Sequence, residues 1–176
     1  MLLNKILWLE SKIRLTYLEI HSSTYQLLII TKNMLLKTSI DKKQKDIEIQ
    51  QVCGQSFNLL TKLKNKIFGS PKYKIISIYP DDISLKKNND LIYFNLELRQ
   101  EGIVLYFRYK QDEYAIYGRF NQTLFQSSNN IFEIQIGNYI VKSEIQNNIA
   151  HHKFIGKFWE LKNENLNSKC SYQIEK

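Results

Sequence analysis

The 176 residues are 43% hydrophobic and 12% aromatic, too apolar for a disordered chain and enough for one domain to bury about 70% of its unfolded surface. Lys and Arg outnumber Asp and Glu by 25 to 17, a formal charge of +8, which favours an anionic partner without choosing among nucleic acid, anionic lipid, acidic protein and a carboxylate-bearing ligand. Cys53 and Cys170 match no metal spacing, and no stretch reaches the ~18 apolar residues of a membrane helix, so the chain reads as one soluble, unexported domain over residues 1–176.

Apolar residues between Leu3 and Leu18 recur at spacings of three and four, predicting an amphipathic helix from about residue 2 to 12 or beyond. Residues 25–30 and then Met34 to Leu36 are apolar runs whose period does not separate strand from helix. Asp46-Ile47-Glu48-Ile49-Gln50 alternates strictly and predicts a half-buried strand ending at Gly54. Ser56 then reads as the N-cap of a helix whose stripe is Phe57, Leu60, Leu63, Lys64 and Ile67, closed by Gly69-Ser70-Pro71. Lys62, Lys64 and Lys66 stand near its C-terminus, where positive charge suits the dipole.

From Lys72 onward the period changes to two. Strands are predicted over Tyr73–Tyr79, 91–98, 103–109, 114–120, Ile131–Ile136, Tyr139–Ile145 and 153–159, with turns at Gln100-Glu101-Gly102 and Lys110-Gln111-Asp112. Sequential short strands build an antiparallel meander, and a sheet of seven or eight strands tends to curl or close to protect its edges. The expected fold is therefore mainly β, a lipocalin-like antiparallel β-barrel meander with an N-terminal helix and one helix inserted near residues 56–68. The rings assigned to its interior are Tyr93, Tyr106, Tyr109, Tyr114, Tyr117, Phe120, Phe132 and Tyr139. Hydroxyl-tipped rings there suit a pocket with polar contacts as well as a dry core.

No nucleophile elbow, phosphate-binding loop, HExxH motif or dinucleotide fingerprint is present, so hydrolysis and phosphoryl transfer have no support. Asp81-Asp82 after Pro80 reads as an acidic turn. His151-His152 reads as a turn or strand start, where two adjacent imidazoles on opposite faces would not chelate one metal. Phe107-Arg108-Tyr109-Lys110 and Tyr117-Gly118-Arg119-Phe120 mix rings with basic groups, but alternation in a strand sends neighbours to opposite faces, which weakens a nucleic-acid stacking platform.

Near the C-terminus Phe158-Trp159 precedes Asn163-Glu164-Asn165-Leu166 and Ser171, and upstream Glu101-Gly102-Ile103-Val104-Leu105 leads to Tyr117-Gly118-Arg119-Phe120. With Ile47-Glu48-Ile49-Gln50 ahead of a helix, and Lys32 with Lys37-Thr38, these segments make residues 25–172 resemble the CpcS/CpeS family of phycobiliprotein chromophore lyases. The chain departs from that family's pattern at Asn33 for Trp, Lys37 for Arg, Glu164 for Pro, and Asn167-Ser168-Lys169 for Arg-Leu-Arg. An Arg-to-Lys change keeps charge and loses the bidentate fork.

The resemblance implies a lipocalin-like barrel that binds a linear tetrapyrrole, phycocyanobilin or phycoerythrobilin, as ligand, with no covalently held cofactor and no metal. It implies a phycobiliprotein subunit as acceptor partner, and a plastid stroma or a bacterial cytoplasm as location. A bilin has a long conjugated body and two propionates, so its carrier needs rings plus a few cations. Arg108, Arg119 and Lys169 are the candidate cations, and Tyr117 and Trp159 the candidate rings; Glu133 or Glu144 is the candidate acid. The family's reaction adds an acceptor thiol to the bilin by positioning, which needs no nucleophile on the lyase. The alternative is a non-enzymatic basic β-sheet module in a larger assembly or ribonucleoprotein, with salt-dependent binding.

Overall fold

The computed structural model describes residues 35–39, 41–81 and 91–174, with side chains as far as Asn167, within a compact unit spanning Met34–Lys176. The expected N-terminal helix, the run 25–30, Asp82 and the Lys169 and Cys170 side chains lie outside these residues. In chain order the elements are β1 (Leu35–Lys37), α1 (Lys42–Cys53), α2 (Leu59–Lys64), β2 (Tyr73–Tyr79), β3 (Tyr93–Leu98), β4 (Gly102–Tyr109) and β5 (Asp112–Arg119). A 3-10 turn (Phe120–Gln122) leads into β6 (Thr123–Ser128), β7 (Ile131–Ile136), β8 (Tyr139–Ile145) and α3 (Asn148–Ile174).

The eight strands among the described residues join one antiparallel sheet in the order β1-β5-β4-β3-β2-β8-β7-β6. Two meanders, β2 to β5 and β6 to β8, are joined by the pairing of β2 with β8. The sheet curls without closing, because β1 and β6 are its two edges. The mainly β antiparallel meander expected from the period-two pattern is thus the observed fold. Two tight turns explain how the β6 to β8 meander keeps register. Asn129 and Asn130 both adopt left-handed φ, 48° and 63°, the two-residue pairing whose twist matches a hairpin, and Gly137 does so at 57° before β8.

One face of the sheet carries the larger core. Phe94, Leu96 and Leu98 of β3, Ile103, Leu105 and Phe107 of β4, and Phe132, Ile134 and Ile136 of β7 alternate onto it. Phe154 and Phe158 of α3 cover that face, with Phe158 against Phe120 at 5.8 Å and Phe125 at 5.0 Å between centroids. Full burial of a ring of this size contributes roughly 2–3 kcal/mol. The opposite face of β4 and β5 packs under α1, where Ile49 and Cys53 lie on Val104, Ala115 and Tyr117. Gly102 is required where β4 meets β5, since a Cβ there would collide with the Gly118 carbonyl oxygen.

Two predicted strands are helices. Residues 46–50 lie inside α1: Ile47 is exposed while Ile49 and Cys53, four apart, are buried. Five residues are too few to separate a period of two from 3.6, and the Lys, Gln and Glu around them favour helix. Residues 153–159 lie inside α3, where His151, Phe154 and Phe158 repeat at spacings of three and four and share the buried side. Two strands give no clear period of two in the sequence: β6, where Gln126, Ser127 and Ser128 mask the alternation, and three-residue β1, which overlaps the ambiguous run from Met34 to Leu36.

The inserted helix is α2, shorter than the expected 56–68. Its cap is Asn58, whose Oδ1 accepts from the Thr61 N–H at 2.7 Å, while Ser56 instead bridges Arg99. Leu60 and Leu63 of the predicted stripe are exposed; Ile67 is buried and Phe57 packs against the core.

Candidate functional site

Period two decides what the strands offer on the α1 side. Along β3, Phe94 and Leu96 turn to the core, so Tyr93 and Asn95 turn away from it. Along β4, Leu105 and Phe107 turn to the core, so Tyr106 and Arg108 turn away. These outward positions form the floor of a groove of about 860 Å³ whose wall is Lys42, Lys45, Asp46 and Ile49 of α1. That volume lies within the ~300–1,000 Å³ of small-molecule sites. Lys42, Lys43, Lys45, Lys72, Arg99 and Arg108 line the groove against two carboxylates, Asp46 and Glu113, so its field attracts anions.

Arg99 is the cation the fold has taken furthest from water. Its side chain is 5% exposed, and its Nη2 alone gathers the partners: Asp46 Oδ1 at 3.0 Å, Tyr106 Oη at 3.2 Å and Glu97 Oε2 at 3.6 Å. Nε and Nη1 are buried with no hydrogen-bond partner among the described residues. A buried donor left without an acceptor costs about 1–3 kcal/mol. Burial opposes the Arg99 charge, but Tyr106, Asp46 and Glu97 outweigh it and raise its pKa. Burial also pushes the Tyr106 phenol up to about 12, so the hydroxyl facing Arg99 is neutral and accepts its hydrogen bond.

Of the candidate cations and packing rings, Arg108 is the one among the described residues that lines this groove, 68% exposed at its side chain and paired with Glu113. That pairing holds the Glu113 carboxyl below its usual range. Arg119 lies elsewhere, donating from Nε to the Val52 carbonyl at 3.3 Å at the end of α1. Tyr117 is packed under α1 against the sheet, where burial pushes its hydroxyl up to about 12. Trp159 is exposed on α3 and meets Phe125 edge-on at 6.1 Å. Arg119, Tyr117 and Trp159 therefore do not join Arg108 in the groove: Tyr117 and Arg119 share its face of the sheet but lie further along the strands, under and at the end of α1, and the helical form of residues 153–159 puts Trp159 on α3. Glu144 pairs with Lys74 at 3.3 Å, and Glu133 stands in a smaller pocket with Lys142.

The rings assigned to the interior divide between the two faces. Tyr109, Phe120, Phe132 and Tyr139 are in the large core; Tyr117 is buried under α1 with Tyr106 packed beside it, and Tyr93 is exposed in the groove. The expected ligand space inside the curl is occupied by Phe94, Phe132, Phe154 and Phe158. Sequence reasoning missed Arg99 and Asp46. Arg99 follows Leu98 at the end of an alternating run, the one sign available that it faces the α1 side.

A second polar cluster sits at the start of α3. His151 Nδ1 and Tyr73 Oη are 2.9 Å apart, as are His151 Nε2 and Ser127 Oγ. Burial, then the neighbouring His152, holds the His151 pKa below its usual value. Cys53 is equally enclosed: its thiol faces the Gly118 and Ile103 carbonyls, and burial pushes it up to about 12, which keeps it protonated and unreactive. Among the described residues no group of three His, Cys, Asp or Glu side chains is arranged to hold a metal, and no helix is long and apolar enough to cross a membrane.

No family model, curated protein or solved structure matches this chain. The class defined by fold and site together is a curled antiparallel meander with one face filled and a cationic, ring-floored groove on the other.

Proposed function

We propose that the chain is a carrier of a linear tetrapyrrole, held in the groove between α1 and the sheet, that presents the pigment to a cysteine of a phycobiliprotein subunit. The observation that carries this reading is the groove's pairing of ring surfaces, Tyr93 and Tyr106, with the cations Arg99, Arg108, Lys42 and Lys45. A bilin is an extended conjugated body with two propionate side chains, and such a ligand needs flat apolar contacts along its length and charge-assisted hydrogen bonds at its acids. The resemblance of Glu101 to Leu105 and Tyr117 to Phe120 to bilin-lyase segments supports the same ligand class. The groove replaces the interior of the curl as the binding place, because the interior is filled.

Attachment is an addition. The acceptor thiol sulfur bonds to the bilin ethylidene carbon, the thiol proton passes to the adjacent ring carbon, and nothing leaves. The carrier's part is to hold the pigment in one orientation and limit its exposure to water, a contribution of proximity rather than of covalent chemistry. No nucleophile on this chain is required, consistent with a Cys53 that stays a buried thiol.

The test is co-expression of the full chain with a bilin-producing pathway and an acceptor phycobiliprotein subunit. The expected result is a coloured acceptor that keeps its pigment after denaturation, and retention of bilin by the chain itself when the acceptor is omitted. Absence of both results overturns the proposal. Salt-dependent retention of nucleic acid in their place would instead favour a basic binding module.

A further inference from the structure

We propose that Arg99 is the seat for a ligand carboxylate and that Asp46 is an internal carboxylate holding that seat in the empty protein, released when the ligand's acid takes its place. The inference rests on the groove being a ligand site, as the carrier reading holds, and names the contact that selects acidic ligands. Three observations point to it. The two partners are unequally fixed: the Arg99 side chain is 5% exposed and the Asp46 side chain 49%. The Arg99 backbone is fixed on both sides, its N–H on the Gly102 carbonyl and a β-bridge to Ser56, whereas Asp46 projects from a helix into the groove. Finally, the contacts crowd onto Nη2, leaving Nε and Nη1 without an acceptor among the described residues.

A buried guanidinium whose donors are only partly used is poorly satisfied by Asp46 and Glu97, and Glu97 is also shared with Lys62 at 3.7 Å. An arriving carboxylate or phosphate-like oxygen pair has the planar match to a guanidinium edge that a single Asp oxygen at 3.0 Å does not give. Asp46 has somewhere to go. Its other oxygen already accepts from Gln50 Nε2 at 3.1 Å along the helix, and Lys42 and Lys45 border the same wall. The exchange therefore separates no buried charge from all its partners: the Arg99 charge stays compensated by the ligand, and the Asp46 carboxylate moves toward water. The ligand class is an aromatic or conjugated body bearing a carboxylate, with Tyr93 and Tyr106 under the rings.

The experiment uses the full chain and two probes, 1-pyrenebutyrate and biliverdin, each beside its methyl ester, followed by fluorescence anisotropy or absorbance. Removing the internal competitor in Asp46→Asn is expected to tighten the acids about fivefold or more and leave the esters unchanged. Arg99→Lys is expected to weaken the acids about tenfold, and Arg99→Lys/Asp46→Asn to lose the gain. Because a buried arginine variant is also a folding risk, the Arg99 Nε–H resonance of the wild-type chain provides a separate reading, and it should shift on adding pyrenebutyrate and stay fixed on adding its ester. The exchange is overturned by an Asp46→Asn affinity equal to or weaker than wild type, by tightening that persists without Arg99, or by equal tightening of the esters. Pyrenebutyrate responding as described while biliverdin binds no variant removes the tetrapyrrole reading and keeps the exchange. Biliverdin binding that ignores Asp46 does the reverse.

Discussion

The face of the sheet under α3 and the face under α1 are built from the same strands and reach opposite ends. On the α3 side, alternate residues of β3, β4 and β7 meet Phe154 and Phe158 in one buried cluster. On the α1 side a twelve-residue helix covers β4 and β5 only in part, burying Ile49 and Cys53 and leaving Tyr93, Asn95 and Arg108 beside it open. A long helix with two Phe side chains four apart closes a surface, whereas a short helix with one apolar strip and several Lys makes an edge. Stability is thus concentrated on one face and ligand chemistry on the other, and substitutions should sort accordingly.

The largest effect is expected from Phe158→Ala. Its ring is fully buried between Phe120 and Phe125, and truncation leaves a void that the surrounding strands fill only in part. A loss of about 3–5 kcal/mol is expected, read as a lower midpoint in thermal or urea denaturation by circular dichroism. Well below that midpoint, pyrenebutyrate affinity should stay within about twofold of wild type, because Phe158 does not line the groove. Loss of the probe site together with stability, in a chain still folded, would show that the two faces are coupled and break the contrast.

Next comes Gly102→Ala, which places a methyl group on the Gly118 carbonyl oxygen where β4 and β5 approach. Both neighbours are backbone, so relief requires the strands to part, at a cost of about 1–3 kcal/mol. These strands carry both faces. This variant should therefore lower the denaturation midpoint and loosen the probe site as well, unlike Phe158→Ala.

How far the sequence alone carries differs between the same two faces. Strands with three alternating apolar positions, such as Ile131–Ile136 and Tyr139–Ile145, are readable to the residue because one-sided burial forces a period of two. The helix over residues 153–159 was misread because Phe154, Ile155 and Phe158 in a seven-residue window fit either period; including His151 would have shown the helical spacing. The groove was legible only in its type, rings with cations. Arg108 was found from its place beside aromatic residues. Arg99 was missed because its role depends on Asp46, 53 positions away, and on α1 being helix where a strand was expected. Alternation alone does not place either candidate ring: Tyr117 shares the groove's face but is covered by α1, and Trp159 stands exposed on α3.

A pH dependence should follow from the filled face. His151 is buried among Tyr73 and Phe132 rings, and its folded-state pKa lies below its ordinary value of about 6.5. The unfolded chain therefore binds the proton more readily. Stability from this site is present above about pH 6.5 and is lost as the pH falls from there toward the lower folded-state value. Denaturation midpoints should fall between pH 7.5 and 5.5, and His151→Gln, which does not titrate, should flatten that part of the profile while lowering stability at pH 7.5. The charged groups near His151 need only be few for this sign to hold: its ring contacts are Tyr73, Phe132 and His152, and its hydrogen-bond partners Tyr73 and Ser127 are neutral.

The smallest expected change in stability, and the sharpest separation of the faces, comes from Arg108→Gln. Arg108 stands 68% exposed at the groove mouth, and its pairing with Glu113 is solvent-screened, so removing it should move the midpoint by no more than about 0.5 kcal/mol. For an acidic probe the consequence is larger than for folding. The substitution takes a cation from the rim and releases the Glu113 carboxylate to repel the ligand, so pyrenebutyrate affinity should fall about three- to fivefold, with a shallower salt dependence. Adding Glu113→Gln should recover most of that loss, because it removes the repulsion while leaving Arg99 and the α1 lysines in place. Recovery in the double variant would assign the rim to electrostatics; failure to recover would mean that Arg108 touches the ligand directly, as a hydrogen-bond donor whose fork glutamine does not reproduce.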